Sequence, residues 1–486
     1  MDKKETDVFS DEYIDSQVSD INNFLRDRNY ARLSKMTSVN GEINRPRKVN
    51  RNTVRNALKD PVKNVDTLQE VSTLLRYTNG IYQNILRYGS NILTNDYMIA
   101  PKSIDKIKTK KKAEKSFMEA ANYLKKFAIK KTCPWIYWRT IEQGELYTYK
   151  IEHENVFVIQ EIPNWMCRIV GNYNGIFKYA INLQKLNDKT YLNMPDEIQK
   201  AYIKFKKDKK FKESLIEKCF YIVEGGVAFS LDQSSLKGVP IYANIFDDLM
   251  ELEDMKDLKS ENAIIESIKL IHQKIPFDKD TKKPAISVKE ASAYHYSTKE
   301  HLPKGTSITT NPLDLQAITL SDNGNKLSNR VDEATDTAFS TAGINKELFN
   351  GSKNSNEAIA MGIIIDSLLP FELQRMVQGW LNYELNLNKS TSNWEVIFVG
   401  TTQVNQDNKI KTARENAISG MLRTPWIAAS GFEPSQYDNL NKLEDILGIA
   451  ETMIPQQTAH TISSSDTGRP SKEDTGEGSS STPQAE

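Results

Sequence analysis

Residues 342–387 read AGINKELFNGSKNSNEAIAMGIIIDSLLPFELQRMVQGWLNYELNL, and this stretch decides the predicted fold. A helix ends near Gly343, a polar loop follows, and a long helix then begins. Apolar residues in that helix recur at intervals of three and four, which defines one buried stripe: Leu373, Met376, Val377, Trp380, Leu381 and Leu385. Pro370 lacks an N–H and clashes with the carbonyl four residues before it, so we predict a kink there.

Composition limits what the 486-residue chain can do. Its 64 basic and 64 acidic side chains cancel, so no global field attracts it to nucleic acid or membrane, and any DNA contact must be local. Three scattered cysteines (Cys133, Cys167 and Cys219) favour reduced, intracellular thiols over disulfides or a metal site. The N-terminus lacks the apolar core of a secretory signal, and no apolar run reaches the ~20 residues of a membrane span. We therefore expect a soluble protein.

On either side of this stretch, the spacing of apolar and turn residues predicts alternating helical and β-rich regions. Residues 1–60 are charged and aperiodic. Helical spacing runs over 65–93 and 113–130, and 145–186 is β-rich, with a hairpin around an Asn/Gly turn at 171–175. Helices are predicted over 245–275 and 326–342, with a short-stranded, turn-rich segment over 278–312 between them. A strand at 394–399, two or three helices over 408–453 and a disordered Ser/Thr/Gly/Pro-rich tail complete the chain.

Enzyme signatures are absent from the sequence. It contains no phosphate-binding P-loop, H-E-x-x-H, C-x-x-C or G-x-S-x-G, and its five histidines lack metal-ligand spacing. We therefore predict no catalytic residue, cofactor or metal. The lysine runs at 106–112 and 204–212 lack interleaved stacking aromatics, so we interpret them as solvated faces, with a contact to another protein left open.

The order helix, Asn/Gly/Ser/Lys loop, kinked rod and strand resembles the tunnel-loop region of bacteriophage portal proteins. Residues 88–101 are similar to the portal segment in which a helix leads into an extended strand. Residues 162–175 resemble the wing hairpin, and 238–245 the approach to the first stem helix. The resemblance covers about residues 65–455 and is to portals of tailed double-stranded DNA phages that infect Gram-positive bacteria. It implies a mainly helical α+β fold with wing, stem, clip and crown, assembled as a ring.

The resemblance divides the chain into ten segments. These are a mobile N-terminal arm (1–60), the N-terminal wing (61–243), the first stem helix (244–275), the clip (276–312), a return segment with the second stem helix (313–342), a connection (343–349), the tunnel loop (350–356), the long kinked wing helix and strand (357–405), the crown (406–456) and a disordered tail (457–486).

The resemblance also implies roles for particular residues. The tunnel loop is Asn350, Gly351, Ser352, Lys353, Asn354, Ser355 and Asn356, and Lys353, its one charge, would form a ring of cations that meets DNA phosphates without reading bases. The clip supplies interface candidates, Tyr294, His295 and Tyr296, with a small satisfied core as the alternative.

Six carboxylates crowd the start of the first stem helix: Asp247, Asp248, Glu251, Glu253, Asp254 and Asp257. A solvated face with ion pairs to other subunits is the simplest interpretation. In a portal, Glu251, Asp254 and Asp257 become channel-wall candidates, whose charge would keep DNA from adhering to the wall. Reversing the charges of Asp254 and Asp257 would then slow packaging.

A portal is a structural protein, not an enzyme. Expected partners are other copies of the chain in a ring of about twelve, double-stranded DNA in the channel, the terminase large subunit, major capsid and scaffolding proteins, and the neck or tail adaptor, with no membrane. Its expected location is a capsid vertex of the virion, and the host cytoplasm during assembly. Two alternatives stay open: a DNA-processing enzyme (a nuclease or terminase-associated subunit), and another phage neck or minor capsid protein.

Overall fold

The computed structural model describes residues 50–106, 109–153, 156–232, 237–267, 269–276, 285–301, 306–311, 324–344 and 356–449. Over these residues the chain is an α+β protein, mainly helical, as predicted. Predicted segments 1–49, 345–355 and 450–486, which include most of the arm, the tunnel loop up to Ser355 and the tail, lie outside the described residues.

The helices are α1 (Arg51–Leu58), α2 (Val65–Thr78), α3 (Gly80–Asn91), α4 (Lys110–Lys125), α5 (Ile129–Gln143), α6 (Asp196–Lys207), α7 (Lys209–Ser214), α8 (Phe246–Ser267), α9 (Val288–Glu300), α10 (Gly324–Ala342), α11 (Asn356–Asp366), α12 (Leu368–Leu387), α13 (Gln406–Ile418), α14 (Thr424–Ala429) and α15 (Pro434–Leu447). The strands are β1 (Tyr97–Pro101), β2 (Glu145–His153), β3 (Val156–Ile162), β4 (Cys167–Tyr173), β5 (Ile176–Asn182), β6 (Phe220–Ile222), β7 (Gly226–Ser230), β8 (Lys269–Lys274), β9 (Thr306–Asn311) and β10 (Trp394–Phe398). The chain divides into two units at Pro434, and α15 belongs to the second.

Helix α12 runs through the main core and confirms the predicted apolar stripe. Leu373, Val377, Trp380, Leu381 and Leu385 are all buried. The helix packs against α3, α5, β5, β7 and β10, which come from both ends of the first unit. The Trp380 ring meets Phe127 and Phe229 edge-on, at centroid distances of 5.2 and 5.6 Å.

The long rod is broken at Ser367, between α11 and α12, three residues before the predicted kink at Pro370. The position follows from the chemistry of proline. Pro370 cannot donate to the carbonyl of Asp366, its partner four residues earlier, and its ring crowds that carbonyl. Helix α11 therefore ends at Asp366, and Pro370 occupies the first turn of α12, where a missing N–H costs little.

Beside this core stands a six-stranded antiparallel sheet in the order β3-β2-β7-β5-β4, with β6 added to β5. The predicted hairpin is confirmed as β4 and β5. Its two-residue turn places Asn174 and Gly175 at φ 52° and 82°, the pattern of a type I′ turn. A second core of Tyr147, Tyr179 and the buried face of α6 covers one side of the sheet.

The structure differs from the predicted pattern of elements in three places. The single helical run 65–93 is two helices, because Asn79 ends α2 and its side chain caps α3 by accepting from Ile81 and Tyr82 N–H. Helix α5 is additional. The end of the predicted arm forms α1, whose Val54 and Ala57 are buried because they pack into the main core.

The segment that leads into α8 crosses the start of β2 at a very close backbone contact. A side chain at Gly144, where φ is +78°, would place its Cβ 2.1 Å from the Val239 carbonyl oxygen, and one at Gly238 would lie 2.2 Å from the Gly144 oxygen. Only glycine fits on both sides of this crossing.

A buried glutamate side chain forms hydrogen bonds at the same crossing. Glu145 is fully buried and accepts hydrogen bonds from Gly238 N–H (2.8 Å), the Tyr147 hydroxyl (2.7 Å) and the Gln69 side-chain amide (3.2 Å). Burial disfavours its charged form more than these donors favour it, so the pKa of Glu145 is raised to about 7.

Replacing Trp380 with alanine should lower the free energy of unfolding by about 3–5 kcal/mol, because it empties the centre of the main core. Urea denaturation followed by circular dichroism measures this. The control is Trp165→Ala, since Trp165 is 38% exposed and its loss should cost much less. Equal losses from the two variants would contradict the central role of α12.

The raised pKa of Glu145 predicts how stability depends on pH. The folded protein holds this proton up to about pH 7, whereas an unfolded glutamate releases it near 4.5. Stability should therefore fall as pH rises from 4.5 to 7, by an amount on the order of 1–3 kcal/mol. Urea midpoints at pH 5 and 8 should show this decline in wild type and in the exposed control Glu213→Gln, but not in Glu145→Gln. A decline of unchanged size in Glu145→Gln would refute the assignment.

Candidate functional site

Helices α8 and α10, predicted as the two stem helices, pack side by side as an antiparallel hairpin. The start of α8 lies beside the end of α10, since the Asn244 side-chain amide donates to the Thr341 carbonyl at 2.9 Å. Phe246 and Leu249 of α8 and Phe339 of α10 are buried in the main core at this end. The other ends of the two helices therefore point away from the core.

At its far end, α8 leads into a β-α-β unit. Strands β8 and β9 pair in parallel from Lys269↔Thr306 to Lys274↔Asn311, and α9 provides the crossover that parallel strands require. The predicted first stem helix (244–275) is thus shorter, because its last residues join β8. The short-stranded prediction for the clip is corrected at 288–300, which is helical. A Ser287–Glu290 capping box starts α9 there.

The three candidates for the clip interface lie in two different environments. Tyr294 and Tyr296 are 58% and 65% exposed on α9. His295 is half-buried against β9, with Nδ1 3.0 Å from the Thr310 hydroxyl, which in turn donates to the Gln273 side chain at 3.1 Å. The two tyrosines are therefore available for contact, whereas His295 matches the alternative of a small satisfied core.

Two arginines of α1 form ion pairs with acidic residues at the start of α8. Arg51 Nε donates to Asp247 at 2.7 Å, and its Nη2 donates to Glu251 at 2.5 Å. Arg55 also donates to Asp247, at 3.0 Å. The Arg51 hydrogen bond, more than any other contact, keeps the pKa of Asp247 below its usual value. Asp247 and Glu251 are thus paired within the subunit, through residues about two hundred positions away in sequence.

Of the three predicted channel-wall residues, Glu251 is the one that forms an ion pair with Arg51. Asp254 and Asp257 are exposed, on the part of α8 beyond α1, and so is every residue from 256 to 260. Leu258 lies in this exposed segment, and 47% of its surface is accessible. The structure therefore leaves Asp254 and Asp257 as carboxylates that face away from the subunit's own core.

Of the predicted tunnel loop, only Asn356 is described, and it is the first residue of α11. Downstream, sequence reasoning missed an exposed apolar face. Met361, Ile364, Ile365 and Leu368 follow helical spacing, and each is more than half exposed, although Ile363 on the other side of α11 is buried. The signal was present, because a helix that is apolar all round must be covered on more than one side.

Buried charges elsewhere are matched by partners. Glu142 pairs with Arg76 at 2.9 Å, Asp96 with Lys130 at 2.8 Å, and Glu384 with Lys150. Within the described ranges, no three His, Cys, Asp or Glu side chains are grouped as a metal site would require. No helix in the described part of the chain is long and apolar enough to span a membrane.

Loss of the Arg51 contacts should weaken the attachment of the helical hairpin. Arg51→Gln should lower the free energy of unfolding at pH 7 by about 1 kcal/mol. Because the pKa of Asp247 is depressed in the folded state, its contribution is present above the unfolded value of 3.8 and is lost as pH falls through the lower folded value. Denaturation at pH 7 and 3 should show a smaller difference from wild type at pH 3 than at pH 7. The same difference at both values would exclude an ionic contribution.

Compared with family models and with curated proteins, the chain matches none, so its function has to be inferred from the geometry above.

Proposed function

We propose that this chain is a phage portal subunit, about twelve copies of which close into a ring that conducts double-stranded DNA through one capsid vertex. One observation carries the proposal: an antiparallel helix pair rises from the core, carries a β-α-β unit at its tip and continues, beyond α10, to a broken apolar rod. This order agrees with the stem, clip and wing helix of portals.

Three surfaces of a single subunit support assembly with neighbours. The outer part of α8 is exposed, and α11 together with the first residue of α12 presents four large apolar side chains to solvent. Strands β8 and β9 pair only with each other among the described residues, so each leaves one strand edge unpaired there. Each surface would be completed by another copy. In the proposed ring, different surfaces of neighbouring copies meet, because heterologous contacts that close give rings.

Charge supports a channel that DNA passes through without adhering. Lys353 is the one charged residue in 350–356, so a ring of its side chains would meet phosphates as isolated point charges. Asp254 and Asp257, exposed on α8, would repel the same phosphates along the wall. The duplex would be guided by the loop and kept from the helices, consistent with transport in both directions.

The tip of the hairpin is the proposed docking face for the packaging motor and later the neck adaptor. Tyr294 and Tyr296 are the exposed aromatic residues on α9, and tyrosine is enriched where proteins contact each other. His295 would position α9 on β9 rather than contact a partner.

Ring formation is tested by light scattering and negative-stain imaging of the purified chain. We expect a particle with a central hole and about twelve times the 55.3 kDa chain mass. Ile364→Asp with Ile365→Asp should yield monomers, since two carboxylates cannot be buried in an apolar contact. The control is Leu192→Asp, at a 43% exposed residue in the short turn before α6, and it should leave the ring intact.

A compact monomer that cleaves duplex DNA with a divalent metal would overturn the portal proposal in favour of a nuclease. Rings that persist in the Ile364/Ile365 double variant would remove α11 from the subunit contact.

A further inference from the structure

Helices α6 and α7 carry a segregated positive surface, which we call the lysine face. It consists of seven exposed lysines: Lys200, Lys204, Lys206, Lys207, Lys209, Lys210 and Lys212. The chain as a whole is neutral, so this density of one sign is local. The sequence favours a solvated face here, and the structure adds how these side chains are arranged.

The lysines of α6 lie opposite its buried side. Ile198, Ala201 and Tyr202 pack into the core beneath the six-stranded sheet, whereas Lys200, Lys204 and Lys207 recur at four and three residues on the outer side. At the start of the helix, Glu197 accepts from the backbone N–H groups of residues 224 and 225, at 2.7 and 3.1 Å. The helix is thus fixed to the sheet while its lysines face outward over about 10 Å.

Contacts across the two helices extend the lysine face onto α7. Lys204 Nζ lies 6.0 Å from the Phe211 ring centre, and Lys212 Nζ lies 5.2 Å from that of Phe205. Each cation therefore sits over an aromatic ring of the other helix. Both rings are half-buried beneath lysines, so they suit packing rather than base stacking.

Five acidic side chains lie on or beside the lysine face. Asp196, Glu197 and Glu213 belong to α6 and α7 themselves. The other two contact the face directly. Asp208 caps α7 by accepting from the N–H groups of Lys210 and Phe211, at 2.9 and 3.3 Å. Asp188 pairs with Lys206 at 2.6 Å, on the flank of α6. Lys200, Lys204 and Lys207, on the outer side, are not covered by either carboxylate.

We propose that the lysine face binds the phosphate backbone of duplex DNA without reading its sequence, at a second contact separate from the channel. Lysine provides point charges suited to phosphate, whereas base recognition and protein interfaces favour arginine and exposed aromatics, which are missing from this face. The face packs on a different core from the hairpin. An acidic protein segment is the competing ligand that the experiment must exclude.

The probe is a relaxed, closed-circular duplex, which cannot thread a closed ring, so its binding reports the outside of the assembly. Affinity is measured at several salt concentrations for wild type and for Lys200→Gln/Lys204→Gln/Lys207→Gln. The triple variant should bind about tenfold or more weakly near 0.1 M salt, and its log–log salt slope should be smaller by about 3. The matched control, Lys110→Gln/Lys111→Gln/Lys112→Gln, removes equal charge from another exposed helix and should bind like wild type.

Wild-type affinity in the triple variant, or equal loss in both variants, would overturn the inference. So would a triple variant that loses binding to a polyglutamate peptide but keeps circular DNA. Circular dichroism confirms that the variants are folded. The outcome is independent of the portal proposal: rings without this DNA contact refute only the lysine face, and a monomer whose binding depends on these lysines refutes only the ring.

Discussion

Burial of one side of α12 is the constraint on which the first unit depends. Trp380 and Glu384, one turn apart, are both nearly inaccessible, and the indole N–H donates to the carboxylate at 3.2 Å. The same carboxylate pairs with Lys150 of β2 and accepts from the Tyr123 hydroxyl of α4 at 3.1 Å. A helix late in the chain thereby fixes the sheet and an early helix, because a charge buried here needs all its partners.

Sequence periodicity predicted the parts of the fold whose stabilising contacts are local. The stripe on α12 follows from a 3.6-residue repeat, and the β4–β5 hairpin follows from an Asn-Gly turn that tolerates positive φ. The β-α-β tip escaped prediction because the six-residue strand Lys269–Lys274 continues a helical pattern and is defined only by its pairing with Thr306–Asn311. Helix α5 escaped because Pro134 lies within it and argues against a helix.

The sequence indicated which residue types form the candidate site, but not which side chains they contact within the subunit. Aromatic residues at 294 and 296 suggested an exposed contact, yet nothing in the sequence separates them from His295, whose role depends on Thr310. In the same way, six carboxylates at the start of α8 look alike in sequence. Only the fold brings Arg51 and Arg55 to Asp247, and so distinguishes paired carboxylates from exposed ones.

The glycine crossing at Gly144 and Gly238 has a mechanical consequence. Two backbones in direct contact, with no side chain between them to change rotamer, form a stiff joint and not a hinge. The crossing lies on the segment that leads into α8, with seven residues between Gly238 and Phe246, and is bonded to the first residue of β2. A push or twist delivered at the β-α-β tip would therefore pass along α8 into the six-stranded sheet without being absorbed at the joint.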